Sequence, residues 1–119
     1  MDWKLNKNKP LVQQICEQIC LKIATGEFAP ESKLPSIRET AILSGVNPNT
    51  VQRAFEMLEQ EGIIYSVRGS GSFVSPDIAK AKGTVELILR QKALEFFAEM
   101  QALGLDTEQT KKYVEELEL

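Results

Sequence analysis

Two helix-start signals stand close together in the middle of this chain, with a single glycine turn between them, and that pairing constrains the fold more than anything else in the sequence. Ser36-Ile37-Arg38-Glu39 has the form of a capping box, in which Ser36 caps a helix start and Glu39 reaches back to it. Ser44-Gly45 stops that helix early, and Val46 follows as an expected buried plug. Asn47-Pro48 opens the next helix, because Asn is a strong N-cap and Pro fits the first helical position. Val51, Ala54, Phe55 and Leu58 recur along one face of it, and Gly62 closes it. Ile63–Val67 then reads as a strand, Arg68–Gly71 as a turn and Ser72–Ser75 as a returning strand. Helix, tight turn, helix and hairpin, in that order, describe a winged helix-turn-helix.

The flanking segments complete an α-rich plan with one small β-hairpin. Residues 10–25 predict a first helix, with Pro10 in its first turn, Gly26 at its stop, and Val12, Ile15, Cys16, Ile19 and Ile23 on one face. Pro76 closes the winged domain, assigned to residues 1–75. Residues 76–83 are expected to be a linker or a frayed helix start. Residues 84–119 are expected to be a helical dimerisation region, with one helix over 84–103 and a short one from Asp106. Val85, Ile88, Leu89, Phe96, Met100 and Leu103 fall on one face of the longer helix, with Leu87 and Leu94 opposite. A helix apolar on two faces needs two partners.

Charge looks unfavourable for a nucleic-acid binder until it is located. The net charge is −3, but residues 1–82 hold ten Lys+Arg against nine Asp+Glu, whereas residues 83–119 hold four against eight. The acidity belongs to the tail, and what DNA binding requires is a local basic surface. The chain has no histidine, which removes the commonest general base and metal ligand. Cys16 and Cys20 lie four apart and lack the spacing or partners of a zinc site, so they read as small apolar residues on a packed face. No cofactor, metal or catalytic residue is expected. No apolar run approaches the roughly 18 residues of a membrane span, and Met1-Asp2-Trp3-Lys4 lacks the layout of a signal peptide. A cytoplasmic location with no membrane partner is the expectation.

The polar residues left outside the apolar stripes carry the candidate chemistry. Asn49, Thr50 and Arg53 lie outward on the third helix, whose first turn is the part that reaches base edges in such motifs. Asn pairs bidentately with adenine and Thr bonds a base or a phosphate. Arg38 sits in the first turn of the second helix, where the macrodipole favours anions and a cation gains nothing on its own. A phosphate or a guanine edge would account for it. Arg68 and Gly69 form a small-residue hairpin tip that lets backbone approach DNA and an arginine enter a minor groove. Each feature also has a plain reading as cap, surface arginine or turn, and the order of the elements is what tells against those.

Taken together, Leu34-Pro35-Ser36-Ile37-Arg38-Glu39, Gly45-Val46-Asn47-Pro48-Asn49-Thr50-Val51, Arg53-Ala54-Phe55, Leu58-Glu59, Glu61-Gly62 and Arg68-Gly69-Ser70-Gly71-Ser72-Phe73-Val74 resemble the GntR family of bacterial regulators over about residues 10–75. The short helical tail resembles that of the YtrA-type branch, whose members carry a small dimerisation arm and often repress ABC-transporter operons. The resemblance implies that Ser36, Arg38, Asn47, Asn49, Thr50, Arg53, Arg68 and Gly69 occupy positions at or beside DNA. The chain departs from the family pattern at Glu31, where Gly is common, at Thr40 in place of Leu and at Phe55 in place of Tyr.

The expected protein is a sequence-specific regulator, a repressor by resemblance. It would bind double-stranded operator DNA with an inverted repeat as a homodimer, burying Val85, Ile88, Leu89, Phe96, Phe97, Met100 and Leu103 between subunits and against the body. A small-molecule effector is left open. Two other classes compete: a winged module whose third helix binds protein, and a small enzyme, which no nucleophile–base pair supports.

Overall fold

The computed structural model describes residues 3–119; Met1 and Asp2, part of the stretch read for a leader, lie outside them. The element order is α1 (Leu11–Ala24), α2 (Ile37–Ser44), α3 (Pro48–Gln60), β1 (Ile64–Val67), β2 (Gly71–Val74), α4 (Ala79–Ala102) and α5 (Thr107–Glu115). Two compact units divide between residues 85 and 86.

In the N-terminal unit α3 is the central element and packs against α1, α2 and β1. Its stripe is wholly inside: Val51 and Ala54 are fully buried, and Phe55 and Leu58 nearly so. From α1 come Ile15, Ile19 and Ile23, joined by Leu34, Val46, Ile63, Ile64 and Val74. Each of the larger aliphatic side chains removed from water stabilises the fold by about 1.5–3 kcal/mol before conformational entropy is charged against it. Cys16 and Cys20 belong to this core as free thiols. Burial pushes Cys16 up to about 12 and Cys20 up to about 11, so both stay protonated near neutral pH and are poor nucleophiles.

The hairpin pairs antiparallel, Ile64 with Val74 and Val67 with Gly71. Its loop is therefore Arg68–Ser70, closed by the Ser70 N–H to the Val67 carbonyl at 2.9 Å, and the second strand starts one residue earlier than its alternation suggested. A third segment extends the pairing. The Leu34 N–H donates to Ser72, the Val74 N–H to Ser32 and the Glu31 N–H to Val74, all within 3.0 Å, and Lys33 lies opposite Phe73.

Residues 76–83, expected as a linker or a frayed helix start, are mostly helix. Only Pro76, Asp77 and Ile78 precede helix; Asp77 accepts the Ala79 N–H at 2.9 Å and α4 then runs unbroken past Gly83. Ala81 is buried in the core, and Ile78 and Val85 pack against it. The small side chain of Ala81 fits the buried site, and the helix carries Gly83 at an intrinsic cost of about 1 kcal/mol.

In the C-terminal unit, Asp106 and Gln109 form a reciprocal capping box that starts α5. Phe96 and Phe97 meet edge to face with centroids 5.8 Å apart. Leu87, Leu89 and Leu94 of α4, and Leu103 just past its end, are each more than half exposed. Tyr113 and Val114 of α5, and Leu117 beyond it, are exposed within the single chain. Among the described residues, no helix is long and apolar enough to cross a membrane.

Candidate nucleic-acid interface

Both helix starts have the geometry their residues predict. Ser36 Oγ accepts the Glu39 N–H, and Glu39 Oε1 accepts the Ser36 N–H, each at 3.0 Å. The bond from the Ser36 N–H, together with the Ser36 hydroxyl, holds the Glu39 carboxyl below the usual carboxylate range. Gly45 ends α2 in the left-handed region at φ 69°, and its N–H donates to Ala41 at 2.9 Å. That conformation costs an L-residue about 1–2 kcal/mol and Gly nothing. It turns the chain directly into Asn47, whose Oδ1 accepts the Asn49 N–H at 2.8 Å.

The cap consumes the Asn47 side-chain oxygen and leaves its NH₂ group outward. Asn49 and Arg53 are exposed, Thr50 is half-buried, and the side chains of the same helix that carry the core lie opposite. Gln52 donates to Glu56 at 3.3 Å, which ties down one of the polar side chains on this surface. Arg38 is exposed on the first turn of α2, and Arg68 and Gly69 are exposed at the hairpin tip. The ion pairs found among the described residues, Lys22–Glu27 and Lys111–Glu108, involve none of the three arginines. Their charge is available to an external anion.

The structure adds Lys33, which the sequence reading passed over. Its strand-like placement opposite Phe73 sends the side chain across Gly71, where a Cβ would meet Lys33 Cε at 3.1 Å. Lys33 also lowers the Glu39 carboxyl through its charge, though less than the Ser36 bonds do. One cation thus stands between the first turn of α2 and the hairpin. The signal was present in the sequence as a lysine before Leu34-Pro35-Ser36, but its meaning depends on a pairing between distant segments.

A polar helix surface, a neighbouring capped helix with an exposed arginine and a flanking hairpin can place several donors along one duplex: α3 in a groove, the α2 start on the backbone, the hairpin beside it. Comparisons with known proteins identify the family to which this fold belongs. The family model for "Bacterial regulatory proteins, gntR family" matches residues 11–74. The HTH-type transcriptional repressor YtrA of Bacillus subtilis is 33% identical over 113 residues, covering 91% of this chain and 84% of that protein. A solved GntR family transcriptional regulator from Listeria monocytogenes superposes with a TM-score of 0.79 at 36% identity, covering 96% of this chain and all of the other. The AraR DNA-binding domain, solved in complex with an operator, matches 54% of this chain and 77% of its own length at 34% identity, with a TM-score of 0.52. The chain belongs to the GntR family of bacterial regulatory proteins, helix-turn-helix transcriptional regulators rather than enzymes.

Proposed function

We propose that the protein represses transcription by binding an inverted-repeat operator as a homodimer. The observation that carries the reading is the division of α3, with Val51, Ala54, Phe55 and Leu58 inside and Asn49, Thr50 and Arg53 left for base edges and phosphates. Ser36, Arg38 and Lys33 bond the backbone beside the groove, and Arg68 and Gly69 approach the neighbouring minor groove. The operator complex of AraR and the repressor name of YtrA support DNA binding and repression here. An ABC-transporter operon as target belongs to the proposal through the family resemblance.

The dimer rests on α4. Leu89, Phe96 and Leu103 are exposed in one chain, whereas Ile88, Phe97 and Met100 are half-buried. Val85 is half-buried against the N-terminal core. Leu87 and Leu94 join the exposed set. A shallow groove of about 380 Å³, lined by Glu86, Leu89, Arg90, Ala93, Leu94 and Phe97, is open and mostly apolar. That lining suits a second helix better than a polar effector, which needs several converging polar groups. The protein would act in the cytoplasm, where its DNA is.

The test is selection of duplexes from a random pool followed by a salt titration of binding. The expected product is a two-fold symmetric site bound by two chains, with affinity falling steeply as salt rises. A protein that enriches no duplex, and binds DNA no better at low salt, is not a DNA regulator of this kind.

A further inference from the structure

The segment before α1 is tied down at several points. Gln14 Oε1 accepts the Asn6 N–H at 2.7 Å, and Gln14 Nε2 lies 2.9 Å from the carbonyls of both Asn6 and Pro10. Leu5 packs against the core, and the Trp3 ring lies 4.7 Å from the ammonium of the buried Lys22. Residues 3–16 contain Lys4, Lys7 and Lys9 and no acidic side chain. All three lysines are exposed. Lys7 Nζ donates to the Gly45 carbonyl at 3.0 Å, in the turn between α2 and α3 and two residues before Asn47.

We propose that this ordered arm is a further DNA-backbone contact, in which Lys7, seated on the helix-turn-helix turn, holds a phosphate flanking the site read by α3. The proposal rests on the DNA-binding reading above. An ammonium has three N–H donors, and the Gly45 carbonyl takes one. The remaining two are held next to the start of α3 by a bond that removes much of the side-chain entropy a free lysine would lose on binding. A cation needed only to cap α2 would satisfy the partial negative charge at that helix end. Three lysines against the single acid Asp2, on a segment fixed to the body, exceed that need and make it locally positive on a chain whose total charge is negative. Lys4 and Lys9 extend this charge along the backbone.

The experiment compares the wild type with Lys7→Gln and Lys7→Arg on a duplex enriched by the wild type, with binding measured across a salt series and Tm measured for each variant. Gln keeps a donor for Gly45 and loses the charge; Arg keeps both. The expected result is a salt slope reduced by about 0.9 in Lys7→Gln, the value for one phosphate contact, together with several-fold weaker binding at moderate salt and a slope retained in Lys7→Arg. A wild-type slope in Lys7→Gln overturns the contact while leaving DNA binding intact. Equal losses in both variants, with lowered Tm, overturn it in favour of a strap that merely holds the arm. A wild type without salt-dependent duplex binding overturns the DNA reading and this contact with it.

Discussion

The Glu31 backbone N–H donates to the Val74 carbonyl at 2.9 Å, and Glu31 sits at φ 64°, in the left-handed region. It is the one non-glycine residue with positive φ among the described residues. The family commonly has Gly at this position, the residue that adopts such a φ without strain. Pairing with the second wing strand is strong enough to hold a residue that pays about 1–2 kcal/mol for the conformation.

Glu31→Gly is therefore expected to stabilise the protein. Relief of the left-handed strain exceeds the extra unfolded-state entropy of Gly, about 0.4–1 kcal/mol, and leaves a net gain of about 0.5–1 kcal/mol. Calorimetry should show Tm raised by a few degrees. A lower Tm would mean that the Glu31 side chain makes a compensating contribution to the folded state.

How much of this was readable in the sequence follows from how far apart the interacting residues lie. The Ser36–Glu39 box, the Asn47 cap and the buried stripe of α3 are interactions within one turn or one helix, and each stands where its residues predicted. The third segment of the wing, Lys33 over Gly71 and Lys7 on Gly45 join residues far apart in the chain, and no local pattern encodes them. The start of α4 was obscured by Gly83 and by an Ala81 whose burial depends on the core it meets. Lys22 shows the same limit: a lysine is almost never fully buried without partners, and here Trp3 and Glu27, both outside its helix, supply them.

The capping box of α2 predicts a pH dependence. The Glu39 carboxyl is held below its ordinary value of 4.5, first by the Ser36 backbone N–H. A group depressed in the folded state contributes stability that is present above its unfolded pKa and lost as pH falls through the folded one. The wild type should therefore lose Tm on acidification below about 4.5 more steeply than Glu39→Gln, whose amide oxygen accepts the same bond without titrating. Parallel acid profiles for the two proteins would show that the box contributes no proton-linked stability.

The exposed leucines of α4 give a direct test of assembly. Leu89 is 58% exposed and Leu94 57% in a single chain. If they lie between subunits, Leu89→Glu or Leu94→Glu places a charge in an apolar interface and should convert the dimer to a monomer on sizing columns, with helical content maintained in the N-terminal unit. Operator affinity should fall with it, because one half-site replaces two. Variants that remain dimeric would move the interface elsewhere on the chain.

Arg38 and Arg53 carry the sharpest prediction about recognition. Both are exposed, and neither belongs to an ion pair found among the described residues, so truncation to Ala should leave Tm within about 0.5 kcal/mol equivalent of the wild type. On DNA the two should separate. If Arg38, on the first turn of α2 beside the Ser36 cap, holds the backbone, its loss should weaken binding to all duplexes and lower the salt slope by about 1. If Arg53, one turn into α3, reads a flanking base, Arg53→Ala should cost about 1–3 kcal/mol on the preferred site while relaxing discrimination at one base pair. Binding to a panel of single-position operator variants at two salt concentrations distinguishes these outcomes. If both variants bind every duplex as the wild type does, the DNA surface lies on another face of α3.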